Sequence, residues 1–205
     1  GLNTVYVTAA NTKSRSRGKE ASETLPGTKE QWGNLHILAA AIDKYDSNYP
    51  PLQFPVKDAK SVLERLSGQK NGLFRDVKVH ELYNQSASSE NILSKIDQIK
   101  ESMQEGDGLM VYLSGHGAVE RTYHFVGPSG NLNKDGLPLS RLLEKMMKGP
   151  NNEERSRTVL IIETCQSGHS KSISMAGFQW PDQQEDEGGL VLLAASDQNA
   201  DESNL

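Results

Sequence analysis

Between residues 35 and 195, apolar runs of strand length alternate with segments whose apolar residues recur at helical spacing. Leu35-His36-Ile37-Leu38-Ala39-Ala40-Ala41-Ile42 is apolar except at His36 and has the length of a buried strand. From Asp58 to Leu66, the residues Ala59, Val62, Leu63 and Leu66 fall at i, i+3, i+4 and i+7, one stripe of a helix. Val77 to Leu82 alternates apolar and polar positions, as a second strand does. Ser88 or Ser89 can cap a second helix, whose apolar face is Ile92, Leu93, Ile96, Ile99 and Met103. Gly106-Asp107-Gly108 stops that helix, and Leu109 to Leu113 reads as a third strand. The alternation then repeats: a helix over Leu139 to Met147, a fourth strand over Val159 to Ile162, and a fifth over Leu190 to Ala195. Continuous apolar strands between amphipathic helices predict an α/β fold, a mostly parallel sheet flanked by helices on both faces.

Outside this block the pattern weakens. Thr4-Val5-Tyr6-Val7-Thr8 alternates like a short strand, and residues 11–33 are polar, with Lys13, Arg15, Arg17 and Lys19 in a cluster. Residues 1–33 are therefore read as an N-terminal extension with a flexible basic loop, and 34–205 as the domain that carries the chemistry. Residues 169–188, rich in Ser, Gln and acids, predict a long irregular loop. The basic cluster has no interleaved aromatics and the net charge is −5, so no nucleic-acid partner is expected. No apolar run approaches the ~18 residues a membrane helix needs, and no signal-peptide pattern opens the sequence. The first residue is Gly rather than Met, so the sequence is read as a piece of a longer chain. Cys165 is the one cysteine, which rules out an internal disulfide. A reducing, cytoplasmic setting is the expectation.

In open parallel sheets, ligands bind beyond the carboxyl ends of the strands. The third strand runs directly into Ser114-Gly115-His116-Gly117, and the fourth into Glu163-Thr164-Cys165-Gln166-Ser167-Gly168. If these strands are neighbours, the sole cysteine and a glycine-flanked histidine face each other across one edge. A thiol with a pKa of ~8.5 is mostly protonated near neutrality, and an adjacent imidazole turns it into a thiolate nucleophile. Gly117 lets the backbone come close to a substrate, and the N–H groups of Gly117 and Cys165 can form an oxyanion hole. Taken singly, a cysteine after an apolar strand is more often a structural thiol, and Gly-His-Gly is more often a plain turn. Their joint placement at strand ends favours a catalytic pair. His36, His80, His124 and His169 lack ligand spacing, so no zinc site is expected. Asp43 and Asp46 read as loop caps.

The two blocks together resemble those of the caspase-like cysteine peptidases, the clan of caspases, metacaspases and bacterial caspase-like proteins. Leu113 to Gly117 resembles the catalytic-histidine block, and Glu163 to Gly168 the catalytic-cysteine block. The histidine-to-cysteine separation, 165 − 116 = 49 residues, is part of the general caspase signature and adds nothing independent of it. Ala41 to Tyr45, Val56 to Ala59 and Ala194 to Gln198 resemble further segments of the same members. Two positions depart from the metacaspase pattern: Glu163 stands where Asp is usual, and Gln166 where His is usual.

The resemblance implies a cysteine endopeptidase with Cys165 as nucleophile and His116 as base. It also implies a specificity pocket of Asp58, Ser114 and Glu163. Two carboxylates there suit a cation, so cleavage after Arg or Lys is expected. Partners are then a protein or peptide substrate and a C-terminal fragment or regulatory domain of the same precursor, because a final strand of the fold is expected beyond Leu205. Self-cleavage at Lys171 or in the basic loop follows. The chemistry needs no cofactor. Some metacaspases use calcium, which the acidic run Asp182, Glu185, Asp186 and Glu187 leaves conceivable, though a solvated face is the reading adopted. Two rivals stand beside this one: an inactive caspase-like interaction module within a larger assembly, and a thiol hydrolase acting on a non-peptide ester or amide.

Overall fold

The computed structural model describes residues 32–46, 49–120, 122–148, 157–164 and 190–194. The strand expected at Thr4 to Thr8, the basic cluster, the 169–188 loop, Cys165, Gln166 and Lys171 lie outside these residues. Five strands form the main sheet: β1 (Leu35–Ala41), β2 (Val77–Tyr83), β3 (Gly108–Gly115), β7 (Arg157–Thr164) and β8 (Leu190–Ala194), in the order β2-β1-β3-β7-β8. Every neighbouring pair is parallel. The helices are α1 (Pro55–Ser67), α2 (Ser89–Ser102), a one-turn α3 (Leu132–Asp135) and α4 (Leu139–Met147).

The period of two along the strands sorts the core into two layers. Ile37, Ala39, Ala41 and Tyr112 point to one face, where Ala59 and Leu63 of α1 cover them. Leu38, Ala40, Ile42, Val111, Leu113, Leu160 and Ile162 point to the other. There they meet Ile92, Leu93, Ile96 and Ile99 of α2 and Leu142, Leu143 and Met146 of α4. This is the doubly covered parallel sheet that the hydrophobic pattern predicts.

Local chemistry sets the helix ends. Helix α1 begins at Pro55, three residues before the expected Asp58, because proline suits the first turn. Phe54 offers no side-chain cap, and the Val56 N–H donates instead to Asp43 Oδ1 at 3.0 Å. Ser88 caps α2 by accepting from the Asn91 N–H. The last turn of α4 is capped from a neighbour: the buried Lys100 ammonium of α2 donates to the carbonyls of Lys145 and Lys148. Burial pulls its pKa down to about 8.

A second sheet, β4 (Gly117–Val119), β5 (Tyr123–Phe125) and β6 (Leu137–Pro138), is antiparallel and was not expected. Its strands are two to three residues long, too short for an alternation to register.

At the amino end of the main sheet, Asp107 gathers four donors. They are the Asn34 N–H at 2.7 Å, the Gln104 N–H at 3.1 Å, and Asn34 Nδ2 and His36 Nε2, both at 3.3 Å. His36 stacks on His80 with ring centroids 6.1 Å apart and planes 4° from parallel. Buried His36 Nδ1 and His80 Nε2 have no hydrogen-bond partner among the described residues. Ring-nitrogen lone pairs lie in the ring plane, so two parallel rings cannot aim them at one ion. Among the described residues no group of three or more His, Cys, Asp or Glu is placed to hold a metal.

Candidate active site

Strands β3 and β7 are neighbours, in a register that pairs Ser114 with Glu163 and Gly115 with Thr164. Both motif blocks therefore leave the sheet at the same edge and level. Cys165 follows Thr164 directly in sequence and lies outside the described residues. Thr164 is buried, and its Oγ1 is hydrogen-bonded to the hydroxyl of Tyr123 in β5. The small antiparallel sheet thus braces the end of β7 just before Cys165 in the sequence.

His116 stands past the end of β3 and is 5% exposed. The chain turns there through Gly115, whose φ of 153° L side chains rarely adopt. A Cβ at Gly115 would lie 2.7 Å from the Tyr45 hydroxyl oxygen and 3.3 Å from the Phe125 ring. That close approach serves the histidine, because the His116 N–H donates to the Tyr45 hydroxyl at 2.8 Å. The Tyr45 and Tyr49 rings lie 4.8 and 4.9 Å from the imidazole and enclose it. His116 Nε2 lies 2.8 Å from the Pro50 carbonyl. A carbonyl can only accept, so Nε2 carries the proton, and in the neutral ring Nδ1 is the basic nitrogen. Gly117 opens β4, and the His116 carbonyl accepts from the Val126 N–H at 3.0 Å.

The loop that delivers Pro50 is anchored at its base. Asn84, in a left-handed conformation at φ 49°, accepts through Oδ1 from the N–H groups of Asp43 (2.9 Å) and Lys44 (3.1 Å). The Asp43 carbonyl accepts from the Leu52 N–H at 2.8 Å. The Asp43 carboxylate itself caps the start of α1 at the Val56 N–H, and Asp46 Oδ1 accepts from Gln85 Nε2 at 2.7 Å.

The three expected pocket residues lie together on the α1 side of the sheet. Ser114 is buried and Glu163 exposed on paired strand positions, while Asp58 is half-buried in the first turn of α1. All three act on the phenol of Tyr112, two residues before Ser114. Its hydroxyl donates to Glu163 Oε2, and the Ser114 side chain and the Asp58 charge lie near enough to influence it. Burial, then the Glu163 carboxylate, holds its pKa well above the usual tyrosine range. Sequence reasoning missed Tyr112, Tyr45, Tyr49 and the Pro50 carbonyl. Tyr112 sits two residues before Ser114 on the same face, so the strand period could have found it; nothing in the sequence marks a main-chain carbonyl.

The caspase-domain family model matches residues 36–203. A search of the curated proteins finds no match. Among solved structures the chain is similar to protein GSU0716 from Geobacter sulfurreducens, with 16% identity and a TM-score of 0.52 over 74% of this chain and 58% of that one. It also resembles Raptor from Chaetomium thermophilum, with 13% identity and a TM-score of 0.47 over 89% of this chain and 17% of that one. The first likeness speaks for the fold alone, and the second carries no argument. The chain spans 58% of the first protein and 17% of the second. No described helix is long and apolar enough to cross a membrane. With the family model covering most of the sequence, and the histidine block at the carboxyl edge of a parallel sheet, the chain belongs to the caspase-domain family of cysteine peptidases.

Proposed function

We propose that the protein is a cysteine endopeptidase that cleaves after Arg or Lys by a Cys165–His116 dyad. The observation that carries the reading is the setting of His116. Its Nε2 proton is held by the Pro50 carbonyl and its main chain by Tyr45, with Nδ1 as the basic nitrogen. In the mechanism, Nδ1 takes the Cys165 thiol proton and the thiolate attacks the scissile carbonyl carbon. The N–H groups of Gly117 and Cys165 stabilise the resulting oxyanion. The C–N bond then breaks as the imidazolium protonates the leaving amine, which leaves a thioester on Cys165. Water, deprotonated by the same imidazole, hydrolyses the thioester and restores the thiol.

Asp58, Ser114 and Glu163 form the pocket for the residue before the cleaved bond. Two carboxylates there favour a cation, while a substrate Asp meets like charges in a partly desolvated site. The proposal extends to self-cleavage at Lys171, Lys13, Arg15, Arg17 or Lys19, and to regulation within a larger protein.

The test is a panel of fluorogenic peptides that differ only in the residue before the cut, run beside alkylation of Cys165. Cleavage after Arg or Lys that is lost in Cys165→Ala supports the proposal. Cleavage after Asp alone overturns the pocket, and a protein that cleaves none of the panel supports the inactive module. Intact-mass spectra check self-cleavage: wild-type fragments absent from Cys165→Ala are expected.

A further inference from the structure

The pocket contains a residue to which this reading assigns no role. Tyr112 is 2% exposed, its ring packed in the layer beneath α1 with Ala39, Ala41, Ala59 and Leu63. Its hydroxyl emerges between two pocket residues. A carboxylate only accepts, so the phenol donates to Glu163 Oε2. The bond runs from buried Tyr112 to Glu163, the one exposed member of the group. An exposed glutamate otherwise samples several rotamers, and ordering it costs side-chain entropy. A rigid phenol rooted in the core lowers that cost before any substrate arrives.

We infer that Tyr112 is a positioning residue for substrate specificity: it pins Glu163 Oε2 and so presents the other carboxylate oxygen, Oε1, to the substrate cation. The inference rests on the Arg/Lys reading of the pocket. It also has a directional consequence. A guanidinium fork uses both carboxylate oxygens and competes with the phenol for Oε2, whereas a lysine ammonium is served by Oε1 alone. The Tyr112–Glu163 bond therefore tilts the pocket toward Lys.

The experiment compares wild type with Tyr112→Phe on matched Lys and Arg peptides. KM is expected to rise about tenfold for the Lys peptide and less for the Arg peptide, the scale of one hydrogen bond to a charged group. kcat and the rate of Cys165 alkylation by neutral iodoacetamide stay within about twofold, since the dyad is untouched. A second variant, Glu163→Asp, shortens the arm at an exposed position and removes its reach to the phenol. It should raise KM similarly, and adding Tyr112→Phe should then change nothing further. If Tyr112→Phe does not fold, Glu163→Asp alone decides. Unchanged KM in Tyr112→Phe or in Glu163→Asp, or a fall in kcat alone, overturns the inference and leaves the basic-residue reading standing. A wild-type protein that cleaves after neither Lys nor Arg overturns both.

Discussion

His36 and His116 sit at opposite ends of neighbouring strands β1 and β3, and both are nearly sealed, at 0% and 5% exposure. His36 has a carboxylate partner, Asp107 at 3.3 Å, and in isolation that pairing reads as a catalytic dyad. The partner at His116 Nε2 is instead a main-chain carbonyl, Pro50 at 2.8 Å. The structural difference lies in what surrounds each pair. Asp107 is committed to Asn34 and Gln104 as well as to His36, and it ties the start of β1 to the start of β3. His36 faces a second imidazole, and burial lowers its pKa more than Asp107 raises it. His116 lies instead at the carboxyl edge, one residue past Gly115, whose partner Thr164 precedes the cysteine. In a parallel sheet, the end at which a strand delivers a histidine tells more about its task than the charge of its partner does.

The sharpest way to break this contrast is to remove each histidine in turn. Cys165→Ala should abolish cleavage and His116→Ala should lower turnover by several orders of magnitude, up to ~10⁶ for such groups. His36→Asn should leave alkylation of Cys165 by iodoacetamide within about twofold of wild type. Steady-state kinetics and circular dichroism on the three variants decide it; a His36→Asn protein that is folded at the assay temperature yet no longer alkylates would merge the two ends into one site.

Gly115→Ala comes next. The added methyl meets the Tyr45 hydroxyl at 2.7 Å and imposes a strained φ, so His116 must shift. A displacement near 1 Å at a reacting group costs about 100-fold in kcat/KM. Activity within threefold of wild type would show that the turn tolerates a side chain.

The amino end is expected to answer to acid. His36 and His80 both have pKa values lowered from the usual 6.5, desolvation being the largest cause for each. Below pH 6.5 the unfolded chain takes up protons that the folded one refuses. Their stabilising effect is therefore complete above pH 6.5 and is lost as pH falls toward the depressed folded values. The melting temperature should climb from pH 5 to pH 7. His36→Asn should melt lower and flatten that slope by about one proton. An unchanged slope would mean that the pair does not couple to folding.

The smallest effect is expected at α4. Lys100→Met keeps most of the buried stem but strips the cap from the Lys145 and Lys148 carbonyls, at a cost of ~1–2 kcal/mol. The folded pKa is about 8 against 10.5 unfolded, so wild type regains stability as pH rises from 8 to 10.5 and the variant does not. Urea midpoints at pH 8 and pH 10 measure the difference.

The hydrophobic pattern was enough for the main sheet because its signal is long. Six apolar residues in β1, five in β3 and the stripe Ile92, Leu93, Ile96 and Ile99 leave one reading. Strands β4 to β6 escaped for the opposite reason, since two or three residues carry no period. The histidine block could be read because a histidine between glycines at a strand end is conspicuous, whereas Asp58, Ser114 and Glu163 were named only through the family resemblance. Tyr112 hid because a tyrosine in a buried strand reads as core, which its ring is; only the register shows its hydroxyl beside Glu163. Tyr45 and Tyr49 hid because the loop between β1 and α1 has no period to fix where its rings go.

The Pro50 carbonyl has a consequence for how this site can be damaged. The group that holds the His116 proton is made of backbone, so no substitution at residue 50 deletes it, and an alanine scan passes over it in silence. Its placement is encoded elsewhere, in the Asn84 side chain that accepts from the Asp43 and Lys44 N–H groups and in the Asp43 carboxylate that accepts from the Val56 N–H. Losses of function that spare the dyad should therefore map to these two remote anchors. Such lesions would look like loop defects while acting as errors of imidazole tautomer.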